Sequence, residues 1–351
     1  MSINKRSLFI ILIILSAFWV HFWWFCLHPV SRSGRNGEVV YIRSGLSSGK
    51  IAGFLKGKGL IKNKFYFLLI AKIFDVDKGL KSGEYLFNKN MSTLNILHRL
   101  KNGMVLTHPV VIPEGYNIYQ VARVLEQKGI LSSFSLLKVC NDKELCRRLN
   151  IEADSVEGYL FPDTYFLAKD MNPEQIIMLM VNRFYEVLPE DAETLAKARN
   201  MSLHEIVILA SLIEKETSDR KEMPLIAAVF YNRLRKGMPL QCDPSVLYAI
   251  GEVSKRLTKK DLQIDSPYNT YLNRGLPPGP IANPGLKAVK AALNPSELDY
   301  LYFVSQNNGT HYFSKSLPEH NYAVLKYQIR GEKPPIPDSK EIPPAGEEAT
   351  N

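Results

Sequence analysis

Cysteine is scarce in this chain, with four in 351 residues at positions 26, 140, 146 and 242. That is too few for a disulfide framework, although Cys140 and Cys146 are close enough in sequence to pair in an oxidising compartment. No cysteine spacing resembles a zinc site and the seven histidines are scattered, so no metal and no other cofactor is expected. An Arg- and aromatic-rich nucleic-acid motif is also missing. The net charge of +9 therefore points to an anionic surface such as phospholipid headgroups or an acidic polymer, and not to nucleic acid. The absence that says most lies between Leu8 and His28, a stretch without a single Asp, Glu, Lys or Arg. As a helix of about 20 residues it is long enough to cross a bilayer. Lys5 and Arg6 precede it, which places residues 1–7 in the cytoplasm, and Trp19, Trp23 and Trp24 suit the far interface. Arg32 and Arg35 weaken that bias without reversing it. No small-x-small exit precedes Pro29, so residues 8–28 read as an uncleaved single-pass anchor in the cytoplasmic (inner) membrane with the rest of the chain outside the cytoplasm.

What is present is an ordinary globular composition, 46% apolar and 23% charged. After a linker at 29–37 the chain repeats itself. "IRSGLSSGKIAGFLKGKGLI" begins at Ile42 and "IPEGYNIYQVARVLEQKGIL" at Ile112, with identities at Ile42/Ile112, Gly45/Gly115, Ala52/Ala122, Leu55/Leu125, Lys58/Lys128 and Gly59/Gly129. Each copy reads as a strand, a glycine turn and an amphipathic helix closed by glycine. A strand and a capped helix lie between them, giving a small α+β module over 38–150. Such a module either holds polysaccharide or serves as a spacer or docking surface. The aromatic loop "EGYLFPDTYFLAKD" that follows is either core or a sugar-stacking platform.

Residues 151–330 turn helical. "PEQIIMLMVNRFYEVL", "SLHEIVILASLIEKE" and "MPLIAAVFYNRLRKG" are three amphipathic helices, the last with Pro224 in its first turn and Gly237 at its end. A further helix is expected with Asp243 as N-cap, Pro244 as its first residue and Gly251 as its stop. The Pro/Gly-rich stretch Ser266–Gly285 reads as a binding loop. A short helix over 286–293 precedes alternating aromatics around Asn308-Gly309, a hairpin signal. The tail over 331–351, rich in Pro and Glu, is expected to be disordered.

The two glutamates of "SLIEKET" differ in place. On a helical wheel Glu216 falls between Leu209 and Leu212, against the packed arc, whereas Glu214 sits on the flank and Lys215 points away. A carboxyl held against an apolar wall keeps its proton to higher pH, as a general acid requires. The competing reading is a glutamate paired with Lys215, Arg220 or Lys221 at a helix end.

"ASLIEKET", "VFYNRLRKGMPLQCDPSVLYAIG", "SPYNTY", "GLPPGPIANPG" and "YLYFVS…HYF", in this order behind an N-terminal span, a doubled "IPEG…A..L...GI" module and "EGYLFPDTY", resemble the signature blocks of the endolytic murein transglycosylase (YceG-like) family. The resemblance implies an α+β chain: one transmembrane helix, a small LysM-like module, and a mainly helical lytic-transglycosylase-like catalytic domain with a β-hairpin. It implies cleavage of the β-1,4 bond between N-acetylmuramic acid and N-acetylglucosamine in glycan strands to leave 1,6-anhydro ends, with Glu216, the second glutamate of E-K-E-T, as the catalytic acid. Asn232, Gln241, Asp243, Tyr268, Asn269, Thr270 and Tyr271 are the substrate-binding candidates, each with a loop-tying or capping alternative; for Asp243 a second rival role is to activate water in a hydrolase. His311 is a further residue that could face the cleft. Peptidoglycan is the implied partner, together with the membrane and a bifunctional cell-wall synthase whose strands the protein would terminate. The family usually has Thr where Cys242 stands, which puts a hydroxyl contact in doubt. The rival from another class is a catalytically inactive, membrane-anchored peptidoglycan-binding scaffold.

Overall fold

The computed structural model describes residues 5–32, 37–252 and 254–331. Residues 33–36 of the linker, residues 1–4, Val253 and the tail beyond 331 lie outside the described residues. The fold is mixed α+β and mostly helical, with strands confined to two-stranded sheets. In chain order the elements are α1 (Lys5–Leu27), β1 (Glu38–Ile42), α2 (Ser48–Gly57), α3 (Lys64–Ile73), β2 (Gly83–Phe87), α4 (Thr93–Asn102) and β3 (Thr107–Val111). There follow α5 (Ile118–Gln127), α6 (Ser133–Cys140), α7 (Lys143–Arg148), β4 (Thr164–Ala168), α8 (Pro173–Val187), α9 (Ala192–Ala198) and α10 (Leu203–Glu216). The chain continues with α11 (Met223–Arg235), α12 (Asp243–Ala249), α13 (Leu286–Leu293), β5 (Tyr302–Ser305), β6 (His311–Ser314) and α14 (Leu317–Val324). Two compact units result: residues 1–110 with 165–171, and residues 111–164 with 172–351. The second copy of the repeat thus belongs to the second unit, not to a module reaching residue 150.

In the first unit β1 pairs antiparallel with β2, from Glu38 opposite Phe87 to Ile42 opposite Gly83, and β3 pairs with β4. The inward residues Val40, Ile42, Tyr85 and Phe87 join Ile51 and Leu55 of α2, Phe67 and Ile70 of α3 and Ile96 and Leu100 of α4 in one core. Phe22 and Cys26 near the end of α1 are fully buried in the same cluster. Among the described residues α1 is the one helix long and apolar enough to cross a membrane.

The repeat is written in backbone angles as well as in sequence. Gly45 and Gly115 have φ of +77° and +74°, and Gly59 and Gly129 both +66°, left-handed values that a side chain would resist. α2 and α5 begin 70 residues apart, each behind a side-chain cap, Ser47 and Asn117.

In the second unit α10 is the central helix. Every residue from Ile206 to Ile213 is buried, and α11, α12 and α13 pack around it. A capping box sets its start: Ser202 Oγ accepts the Glu205 amide and the Glu205 carboxylate accepts the Ser202 amide. α12 departs from expectation. Cys242 occupies the cap position and Asp243 is the first helical residue, with no side-chain capping bond. The Asp243 carboxylate is instead taken by Tyr271, whose hydroxyl donates to it at 2.5 Å. β5 and β6 pair antiparallel, Tyr302 opposite Ser314 and Ser305 opposite His311. Cys140 and Cys146 are both buried and free.

Candidate active site

The helix that buries eight consecutive residues ends on Glu216. Thr217 leaves it with extended angles (φ −145°, ψ 143°), so the Glu216 carboxyl projects from the last turn, half-buried. The two glutamates are indeed unlike. Glu214 accepts the Gly285 amide at 3.0 Å at the start of α13, an anchoring contact, and burial raises its pKa. Among the described residues Glu216 has no such backbone donor, and burial lifts its pKa to about 7. The Asp243 carboxylate pushes in the same direction. The Cys242 thiol, which hydrogen-bonds the Glu216 side chain, and the charges of His311 and Arg233 oppose it. Cys242 is fully buried, and its desolvation together with Glu216 keeps the sulfur protonated and therefore a donor. The position where the sequence comparison cast doubt on a hydroxyl contact thus supplies an S–H contact to the acid itself.

The surrounding residues divide into those around the acid and those that hold its frame. Tyr271 and Asp243 meet each other beside Glu216; the Asp243 charge acts on Glu216, and burial together with both carboxylates raises the pKa of Tyr271. Gln241 has an exposed side chain on a left-handed backbone (φ +52°). Its amide donates to the Thr270 carbonyl and its side-chain oxygen receives Arg233 Nη1 at 3.4 Å. Thr270 is buried, its Oγ1 accepting the Cys242 amide at 2.9 Å and bonding Ser245 Oγ at 2.9 Å. Asn269 is fully buried and gives its side-chain amide to the carbonyls of Leu262 and Ile264. Asn232 donates to the carbonyls of Leu298 and Tyr300 at 2.7 and 2.9 Å while accepting from Arg235. Tyr268 packs on Tyr248 with ring centroids 5.0 Å apart. Together they line a cavity of about 550 Å³ that also contains Tyr119 and Glu157. The structure therefore brings Asp243 and Tyr271 towards the acid, ties Gln241 to Thr270 and Arg233, turns Asn232, Asn269 and Thr270 to loop tying, and puts Tyr268 in a different hollow.

Two organising residues escaped the sequence reading. Arg233, almost fully buried, donates from Nε to the Leu301 carbonyl and from Nη1 to the Leu240 carbonyl, both at 2.7 Å, and its guanidinium lies 5.3 Å from the Tyr302 ring. It thereby joins the segment leading into β5 to the loop before Cys242. The signal was available, because Ile226, Val229, Phe230 and Arg233 recur at helical spacing on one buried stripe. Glu222, also nearly buried, receives both the backbone N–H and the Nδ1 of His311 at 2.7 Å. The Thr217 hydroxyl reaches the same carboxylate at 3.4 Å. His311, singled out in the sequence as a possible cleft residue, is thus locked onto Glu222, the carboxylate that Thr217 also reaches, and its ring packs edge-on to Phe303 at 5.4 Å. Among the described residues no group of three or more His, Cys, Asp or Glu is arranged to hold a metal ion.

The pattern of the YceG-like family matches residues 40–326. The chain belongs to the YceG-like family. It is 38% identical over 317 residues to the endolytic murein transglycosylase of Bacillus subtilis, covering 86% of this chain and 88% of that protein. The endolytic murein transglycosylase of Streptococcus pneumoniae serotype 2 is 31% identical over 333 residues, and the match spans 86% of this chain and 60% of that longer protein. A crystal structure of a YceG-like protein from Listeria monocytogenes superposes with a TM-score of 0.56 at 37% identity, covering 82% of this chain and 99% of that one.

Proposed function

We propose that this YceG-like chain is an endolytic peptidoglycan lytic transglycosylase with Glu216 as its single acid–base group. The observation that carries this reading is a carboxyl at the end of the central helix, in the position of the family's E-K-E-T motif, that burial lifts to about 7. A large fraction of it is protonated at neutral pH. Glu216 donates its proton to the glycosidic oxygen as an oxocarbenium-like centre forms at C1 of the muramoyl sugar, and N-acetylglucosamine leaves as the alcohol. The C6 hydroxyl of the same muramoyl sugar bonds to C1 through its oxygen and returns its proton to the Glu216 carboxylate. No water enters and the acid is regenerated. One carboxyl suffices because the nucleophile is tethered, with the high effective molarity of an intramolecular reaction, and the 2-acetamido group stabilises the cation.

Gln241, Asp243 and Tyr271 are assigned to contact with the sugars beside the acid. Asn232, Asn269 and Thr270 act by shaping the loops. Helix α1 anchors the chain in the cytoplasmic membrane with residues 1–7 inside, and the enzyme trims nascent strands outside, next to a synthase. The first unit and the second copy of the repeat are assigned the LysM-like role of holding glycan. The test is mass spectrometry of products from purified glycan strands, with wild type and Glu216→Gln side by side. Anhydro ends from the wild type and none from a normally folded Glu216→Gln are expected. Reducing ends would mean hydrolysis, and undiminished anhydro product from Glu216→Gln would remove the acid assignment.

A further inference from the structure

Helix α1 and the first unit compete for the same residues. Leu8–Leu27 has 20 residues, which at 1.5 Å each is about 30 Å, the thickness of a bilayer's hydrocarbon layer. Yet the Tyr66 ring of α3 lies against Phe18, His21, Phe22 and Phe25, with centroids 6.4, 6.0, 5.5 and 5.3 Å away. Phe18 lies about 13 Å before the helix end. If the whole first unit stood clear of the membrane, only Leu8–Ala17 would remain to span it, about 15 Å and half of what is needed. The opposite face of α1 shows no such conflict, since Trp19, Val20, Trp24 and Leu27 stay exposed. Lipid therefore covers one side of the last turns while α3 covers the other, which brings α3 to the depth of the membrane interface.

The surface of α3 fits that depth. Phe65 and Ile73 stand exposed two turns apart on its outer side, with Leu69 between them partly buried against the core. Lys64 and Lys72 flank this stripe, and Lys62 reaches 4.9 Å from the Trp24 ring and 5.2 Å from the Phe25 ring at the end of the span. From Arg43 to Phe74 the chain carries Arg43, Lys50, Lys56, Lys58, Lys62, Lys64 and Lys72 and no acidic residue. Apolar rings bordered by lysines on an interfacial helix are the chemistry of anionic lipid binding. We infer that α3 docks on the anionic headgroups of the bilayer that α1 spans, with Phe65 and Ile73 inserted and Lys62, Lys64 and Lys72 on the phosphates. An acidic polysaccharide would suit the lysines but gives the apolar stripe nothing to bury against. The inference rests on α1 spanning the membrane and not on the enzymatic assignment.

The full chain in lipid nanodiscs tests it. Trp19, Trp23 and Trp24 are the three tryptophans of the chain, all on α1, and report the span directly. The native cysteines are buried, so Phe65→Cys or Ile73→Cys can carry an environment-sensitive dye. In discs rich in phosphatidylglycerol, lipids spin-labelled just below the headgroup should quench both tryptophans and dye, and aqueous iodide should not reach the dye. Lys62→Gln/Lys64→Gln/Lys72→Gln should restore most of the dye emission in anionic discs only. Quenched tryptophans beside an unquenched, iodide-accessible dye would sink the docking while leaving the span. Unquenched tryptophans would sink both. Equal dye quenching in purely zwitterionic discs would remove the anionic specificity, and protection of the dye by a soluble acidic polysaccharide in place of lipid would reassign the surface.

Discussion

At the residue scale the decisive quantity is when Glu216 parts with its proton. The proposed mechanism needs this acid protonated, and burial lifts its pKa to about 7, so on that mechanism kcat/KM for anhydro-end formation is expected to fall above neutrality, by about tenfold per pH unit. A pH–rate profile checks this. The Cys242 thiol favours the ionised carboxylate by hydrogen-bonding it, so Cys242→Ala should move the alkaline limb to higher pH. The shift is bounded by the worth of one hydrogen bond, about 1 kcal/mol or a little under one pH unit. Cys242→Thr, with a stronger donor, should move it the other way. An alkaline limb that stays in place in both variants would mean that the thiol does not act on the acid.

At the element scale the buried Glu157 ties three segments together. It accepts the Ile118 amide at the start of α5 at 3.1 Å, the Tyr248 hydroxyl of α12 at 3.3 Å and the Asn283 side chain before α13 at 3.3 Å. Burial raises its pKa from 4.5 to about 8. The folded state then holds a proton that the unfolded chain releases above about 4.5, so this group costs stability progressively as pH climbs from there towards 8. Glu157→Gln should flatten that slope in denaturant titrations run between pH 5 and 8 (about the interval between those two values); an unchanged slope would place the linkage elsewhere. The start of α10 offers a separate check. Ser202→Ala removes the cap and is expected to cost about 1 kcal/mol of unfolding free energy, read from the same titrations at fixed pH.

At the scale of the whole molecule the first unit uses the end of α1 as part of its core. Deleting residues 1–28 removes Phe22 and Cys26 from the cluster that contains Phe67, Ile70 and Ile96, leaving an apolar hollow where two side chains were packed. Losses of this kind run at about 2–5 kcal/mol per large side chain. Hydrogen exchange is expected to quicken in α3 and α4 of the truncated chain while amides of α10 and α13 keep their wild-type protection. Uniform protection throughout would show that α1 is dispensable to the fold.

The sequence determined on its own the features that local chemistry fixes. The apolar span, the helices over 173–187, 203–216, 223–235 and 286–293, the turn glycines of the repeat and the hairpin around Asn308-Gly309 follow from periodicity, caps and left-handed positions, each carried within a few residues. The asymmetry of Glu214 and Glu216 was legible too, because a helical wheel is a local object. What surrounds the acid was not. Asn232, Asn269 and Thr270 carry the same groups whether they grip a sugar or a loop carbonyl, and only the fold shows that the carbonyls of Leu298, Tyr300, Leu262 and Ile264 and the Cys242 amide claim them. Asp243 lost its expected cap role to a tyrosine 28 residues away. The Cys242 contact, the Arg233 brace and the Glu222–His311 lock join segments that follow from no spacing, since hydrogen bonds and desolvation depend on distance in space and not along the chain.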